Sequence, residues 1–180
     1  MMLNRIILKQ LSMVGKHLLF VCLGNICRSP SAEAVMNGKL KAIGWEQRIL
    51  CDSAGIIGFH AGEPADARMQ KHALKRGYAL TSLSRQVKQD SDFDRFDMII
   101  GMDDQNIKDL KALARSEDDR RKIFRMTDFS TQKIYKHVPD PYYSGNDGFE
   151  LVLDLLEDAC DGLMEHLKGE SQSEFVNERI

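Results

Sequence analysis

The residues best suited to chemistry stand together in one string, FVCLGNICRSP, residues 20–30. It sets a thiol, Cys22, six positions before a guanidinium, Arg28, with a hydroxyl, Ser29, next to the latter. A thiolate is a competent nucleophile, and a guanidinium is a planar fork that can hold two oxygens of a phosphate at once. Between them run Leu23, Gly24, Asn25, Ile26 and Cys27. Gly and Asn tolerate positive φ, so this stretch can curl with successive backbone N–H groups pointing inward, a concave site for an anion. Ser29 and Pro30 suit the first turn of a helix, whose positive dipole end would face the same concavity. The whole string suits a tetrahedral dianion. Cysteine thiols beside a helix N-terminus and an arginine ionise more readily than free ones, and the Ser29 hydroxyl can donate to the sulfur. A cysteine closing an apolar strand is more often a core residue, and the Cys-to-Arg spacing alone recurs by chance. The complete string is far more specific.

These groups work only if a strand and a helix position them. HLLFVC, 17–22, is a continuous apolar run of the kind found in strands buried on both faces. Residues 29–43 predict a helix with Ala32, Val35, Met36, Leu40 and Ile43 on its inner face. Further strands are expected at 49–54, 96–102 and 122–126. Pro64 suits the first turn of a helix that Gly77 would end, and Asp103 can cap one carrying Ile107, Leu110 and Leu113. Asp147 and Glu150 suggest a capping box opening a long final helix with Phe149, Val152, Leu156, Ala159, Leu163 and Leu167 as its core stripe. Cys160 borders that stripe as a small buried hydrophobe. Strands alternating with four helices predict an α/β fold: a four-stranded parallel sheet, Rossmann-like, with helices on both faces and the phosphate-binding loop after strand 1. Such sheets bind ligands at the carboxyl ends of their strands, where Cys22 stands.

The 180 residues fit a single domain at 17–168, with an extension at 1–16 and a tail at 169–180 whose lack of period predicts disorder. In the extension, Leu3, Ile7, Leu11 and Val14 can share a helical face, and a helix lying on a membrane surface is one expectation; a loosely held segment, or translation starting at Met13, is the favoured one. The formal net charge of -2 argues against a nucleic-acid binder. No apolar run approaches the roughly 18 residues of a membrane span. Four cysteines without a C-x-x-C pair favour neither a disulfide scaffold nor a structural zinc site, and with no secretory signal visible a cytoplasmic location is expected. The phosphate cradles G-x-x-x-x-G-K-[ST] and G-x-G-x-x-G are missing, so ATP and dinucleotide binding have no support.

VCLGNICRSP resembles the phosphate-binding signature of the low-molecular-weight protein tyrosine phosphatases, in particular the bacterial type. DSAG (52–55), FDMIIGMDDQN (96–106) and DPYY (140–143) follow in that family's order, so the resemblance spans about His17 to Leu167. It implies hydrolysis of phosphotyrosine in proteins with neither metal nor cofactor. Cys22 would be the nucleophile that becomes phosphocysteine, Arg28 the phosphoryl clamp, and Ser29 the stabiliser of the thiolate. Asn25 and Ser53 would hold the strained loop. Asp140 would be the general acid, then the base. The chemistry supports this last role: expelling tyrosinate, pKa about 10, is costly unless an acid protonates it, a gain of roughly 10²–10⁴-fold. Pro139 and Pro141 restrict the backbone around it. Tyr142, Tyr143 and Phe59 would line the mouth. The family's second loop cysteine implies that Cys27 can form a reversible disulfide with Cys22; a packing role under the loop is the alternative. Bacterial members imply a tyrosine kinase as protein partner; a monomer or weak dimer is the expectation for the chain's own assembly.

Two other functions compete. Thioredoxin-coupled arsenate reductases resemble this fold and loop but need further cysteines after the second helix, and residues 78–100 contain none. A phosphate-binding module without turnover would be expected to lack the nucleophile or the acid, and both are present.

Overall fold

The computed structural model describes residues 15–177, with side chains through residue 170. The 1–14 stretch, with the helical face and alternative start expected there, lies outside the described residues. Strands β1 (Lys16–Cys22), β2 (Ile49–Gly55), β3 (Met98–Gly101) and β4 (Ile123–Arg125) alternate with helices α1 (Arg28–Ala42), α2 (Ala67–Lys75), α3 (Gln89–Arg95), α4 (Asp104–Leu113), α5 (Glu117–Arg121) and α6 (Asn146–Asn177). A 3₁₀ turn, Met126–Phe129, follows β4.

All strand pairs are parallel, in the order β2-β1-β3-β4. From β1 the chain winds to one side to form β2, then crosses back to form β3 on the other side. β1 is therefore the switch point, and Cys22 is its last residue. The apolar run works as expected: Leu18 through Val21 are fully buried. Their alternation divides the core. Leu18, Phe20 and Cys22 face the α1, α2 and α6 layer, whereas Leu19 and Val21 face Phe93, Phe96 and Leu110 on the other side. The expected stripe of α6 is buried throughout, and Cys160 with it.

The structure departs from expectation in four places. Short polar helices α3 and α5 carry no apolar period long enough to announce them. The N-terminus of α2 is set by Asp66, whose side chain accepts from Arg68 N, while Pro64 lies in an isolated bridge to Leu83; Gly77 does end the helix region, at φ +87°. Glu150 makes no capping box, because His72 and Arg76 bind its carboxylate. Finally, α6 runs to Asn177, so helix replaces the disorder expected at 169–177. Within it Glu170 pairs with Lys16 Nζ at the start of β1, 2.6 Å away.

α6 passes the 3₁₀ turn at very close range. A Cβ at Gly162 would stand 1.8 Å from Phe129 O, so only glycine fits there.

Candidate active site

At the end of β1 the chain leaves the sheet and returns as α1 within five residues. Asn25 takes the turn at φ +56°, in the left-handed region. Its side chain holds that conformation from three directions: Nδ2 donates to Ser29 Oγ and to Ser53 Oγ, both at 2.9 Å, and Oδ1 accepts from Arg85 N at 2.9 Å. Ser84 Oγ donates to Gly24 O at 3.0 Å. β2 grips the loop from the other side, with Ile56 N donating to Cys22 O and Ile57 N to Leu23 O. This approach needs Gly55, where a Cβ would meet Ile57 O at 2.8 Å and Leu23 O at 2.9 Å.

Cys22 is nearly buried, and its Sγ lies 3.1 Å from Ser29 Oγ. Since Asn25 already donates to that oxygen, the single Ser29 proton can go only outward, toward Sγ or Ala54 O, the latter 3.3 Å away. No side chain caps α1 at Cys27, and no acidic residue sits in its first turn. The positive end of the helix is thus left to a ligand.

Arg28 is 3% exposed. Nη1 donates to Asp103 Oδ2 at 2.6 Å and Val138 O at 3.1 Å, and Nη2 to Asp140 Oδ2 at 3.0 Å. Burial alone would lower its pKa, but facing Cys22, Asp103 and Asp140 raises it above the ordinary arginine value, so the cation is secure. Asp140, between its two prolines, also accepts from Tyr142 N at 3.1 Å. Its side chain is 46% exposed at the mouth.

A pocket of about 270 Å³ opens above this floor. Of the residues expected at the site, Cys22, Leu23, Gly24, Ile26, Cys27, Arg28, Phe59, Asp140, Tyr142 and Tyr143 line it, while Asn25, Ser29 and Ser53 stand behind the loop. Tyr143 and Phe59 are the most exposed of the rim aromatics. The Arg68 guanidinium lies 5.4 Å from the Tyr142 ring centre. Cys22 and Cys27 are both free thiols, and burial, with Asp66 and Cys22 nearby, pushes the Cys27 thiol up.

Sequence reasoning missed several contributors. Ile57 and His60 also line the pocket, His60 tied through Nδ1 to Glu63 Oε2 at 2.7 Å. Asp103, expected only as a helix cap, caps α4 through Oδ1 and binds Arg28 through Oδ2. Ser84 and Arg85 strap the loop from a distant segment. Only the FDMIIGMDDQN match points toward Asp103; nothing local marks the others. Among the described residues no group of three or more His, Cys, Asp or Glu is placed to hold a metal ion, and no helix is long and apolar enough to cross a membrane.

Residues 17–173 match the family model described as low molecular weight phosphotyrosine protein phosphatase. A low molecular weight protein-tyrosine-phosphatase of Streptomyces coelicolor is 42% identical over 147 residues, 81% of this chain and 89% of that protein. One from Bacillus subtilis is 41% identical over 155 residues, covering 86% and 97%. Among solved structures, a protein tyrosine phosphatase from Entamoeba histolytica superposes with a TM-score of 0.84 at 47% identity, covering 87% of this chain and 99% of that one.

Proposed function

The chain belongs to the low molecular weight phosphotyrosine protein phosphatase family and is a phosphatase, and we propose that it hydrolyses phosphotyrosine in proteins through a phosphocysteine on Cys22. The observation that carries the reading is the gathering of these groups in one pocket: buried Cys22 Sγ with the Ser29 hydroxyl beside it, Arg28, and the half-exposed Asp140 bound to Arg28. The phosphoryl group sits in the loop, its oxygens held by backbone N–H groups and by Arg28, which turns from Asp140 to the ligand. Sγ attacks phosphorus as the bond to the phenolic oxygen breaks, and Asp140 gives that oxygen its proton. Asp140, now a carboxylate, takes a proton from water; the hydroxyl adds to phosphorus, the S–P bond breaks, and inorganic phosphate leaves with the Cys22 thiolate restored. The depth of the pocket and its aromatic rim favour a phosphate carried on a long flat ring over the short arm of phosphoserine.

Cys27 adds a redox reading. If a peroxide oxidises Cys22 to the sulfenic acid, the Cys27 thiol can condense with it, releasing water and forming a disulfide.

The deciding experiment is Cys22→Ser. Turnover of a phosphotyrosyl peptide should vanish while binding of the peptide persists, because a serine hydroxyl is not ionised near neutral pH. Hydrolysis above a few per cent of the unaltered rate would remove Cys22 from the mechanism.

A further inference from the structure

Behind the phosphate loop stands a carboxylate that the reaction does not use. Glu33 lies on α1 one turn after Ser29, and its Oε2 accepts from Ser53 Oγ at 2.6 Å. The Ser53 oxygen accepts in turn from Asn25 Nδ2, whose other hydrogen goes to Ser29 Oγ, itself 3.1 Å from Cys22 Sγ. Four linked contacts therefore join Glu33 to the nucleophile through Ser53, Asn25 and Ser29.

The hydrogens in this chain can be assigned. Both Nδ2 hydrogens of Asn25 are committed, so both serine oxygens act as acceptors toward it, and each serine keeps one proton to place. A carboxylate can only accept, so it takes the Ser53 proton and leaves the Ser53 lone pair facing Asn25. The Asn25 amide cannot turn over, because Oδ1 is held by Arg85 N. Ser29 then has a filled acceptor site and a proton directed at Sγ or at Ala54 O. We propose that Glu33 is a positioning residue: its carboxylate takes the Ser53 proton, which leaves the Ser53 oxygen free to accept from Asn25 and anchors Asn25 in the left-handed turn from which it donates to Ser29 beside Cys22. Glu33 is held at a cost: burial raises its carboxyl above the ordinary value, opposed by hydrogen bonds from Ser53 and Ser82 and by the charge of Arg85, with Asp52 adding to the rise.

The inference rests on Cys22 being the nucleophile, and a double-mutant cycle tests it separately. Phosphorylation rates on an aryl phosphate are measured for Glu33→Gln, Glu33→Ala, Ser53→Ala and the paired variants, with melting temperatures in parallel. Glu33→Ala should lower the rate about tenfold, the scale of one charge-assisted hydrogen bond. Glu33→Gln, which keeps an acceptor oxygen of the same reach, should recover part of that loss. In the Ser53→Ala background neither change should cost more than about twofold, because the link is already cut. Additive losses, or a glutamine no better than alanine, would overturn the role of Glu33 while leaving the mechanism standing; turnover by Cys22→Ser would overturn the mechanism itself. Should Glu33→Ala fail to fold, the glutamine arm of the cycle decides the same question, since its loss should likewise disappear once Ser53 is alanine.

Discussion

Replacing Asp140 by Asn separates acid catalysis from phosphate binding. The amide keeps the carbonyl oxygen that accepts from Tyr142 N and loses the acidic proton and the charge. Loss of general-acid assistance is worth roughly 10²–10⁴-fold, or about 2.7–5.5 kcal/mol in the barrier. It should appear in full for phosphotyrosine, whose phenol is a poor leaving group, and shrink for an aryl phosphate whose phenolate departs unaided. A second effect has the opposite sign. In the free enzyme Asp140 holds Arg28 Nη2 at 3.0 Å, so an arriving phosphate must displace it. With the Asp140 side chain 46% exposed, that ion pair is screened and worth about 0.2–1 kcal/mol. Removing it should tighten competitive inhibition by inorganic phosphate by about fivefold at most. Burst-phase rates across aryl phosphates of graded leaving-group pKa, with phosphate inhibition constants alongside, test both. A uniform loss along the series would mean that Asp140 only positions its loop. Weaker phosphate binding would contradict the competition for Arg28.

Arg28→Lys keeps the charge but cannot hold Asp103, Val138 O and two phosphoryl oxygens together; losing two charge-assisted bonds at about 1.5–3 kcal/mol each should lower kcat/KM by roughly two to four orders of magnitude, and a lysine variant of full activity would refute the clamp. Gly162→Ala forces a methyl against Phe129 O; overpacking of about 1–3 kcal/mol should lower Tm by several degrees at roughly 2–4 °C per kcal/mol for a chain of this size, and an unchanged Tm would show that α6 and the turn separate freely. The raised carboxyl of Glu33 means that the folded chain binds its proton more tightly there than the unfolded chain does. The stability it contributes is complete below the ordinary value of 4.5 and is lost as pH rises through the folded value. Denaturant titrations of the unaltered protein and of Glu33→Gln should therefore show the variant gaining relative stability above that pH; a constant difference would mean Glu33 is not desolvated.

What the sequence made legible was contiguous or strongly periodic. The run 17–22 is apolar at nearly every position because β1 is buried on both faces, and the loop after it keeps Cys22, Asn25, Arg28 and Ser29 within one turn of chain. The stripe of α6 repeats over several turns. The remainder of the site is assembled across the sheet. Asp103, Glu33 and the Ser84–Arg85 pair reach the loop from three different segments, and each in isolation is an ordinary polar residue with no spacing to betray its target. α3 and α5 are too short for a period to develop. The capping box at Glu150 does not form because it is a local pattern, whereas His72 and Arg76 approach from another helix. The extent of α6 is hidden for a related reason, since no apolar period continues past Leu167 and the Lys16–Glu170 ion pair is made to a residue far away in sequence.

That ion pair has a practical consequence. Lys16 and Glu170 join the first strand and the last helix at the pole opposite the Cys22 thiol, and the six residue steps of β1 from Lys16 to Cys22 span about 20 Å. A fluorophore, surface tether or fused domain attached at that pole would stand clear of the mouth, and a short linker between the two positions could close the chain into a permuted form cut open elsewhere. The exposed segment around Ile134 and Tyr135 would be a poor place for the new ends: it leads directly into Val138, whose carbonyl steadies Arg28, so fraying there would reach Arg28 before it reached the core.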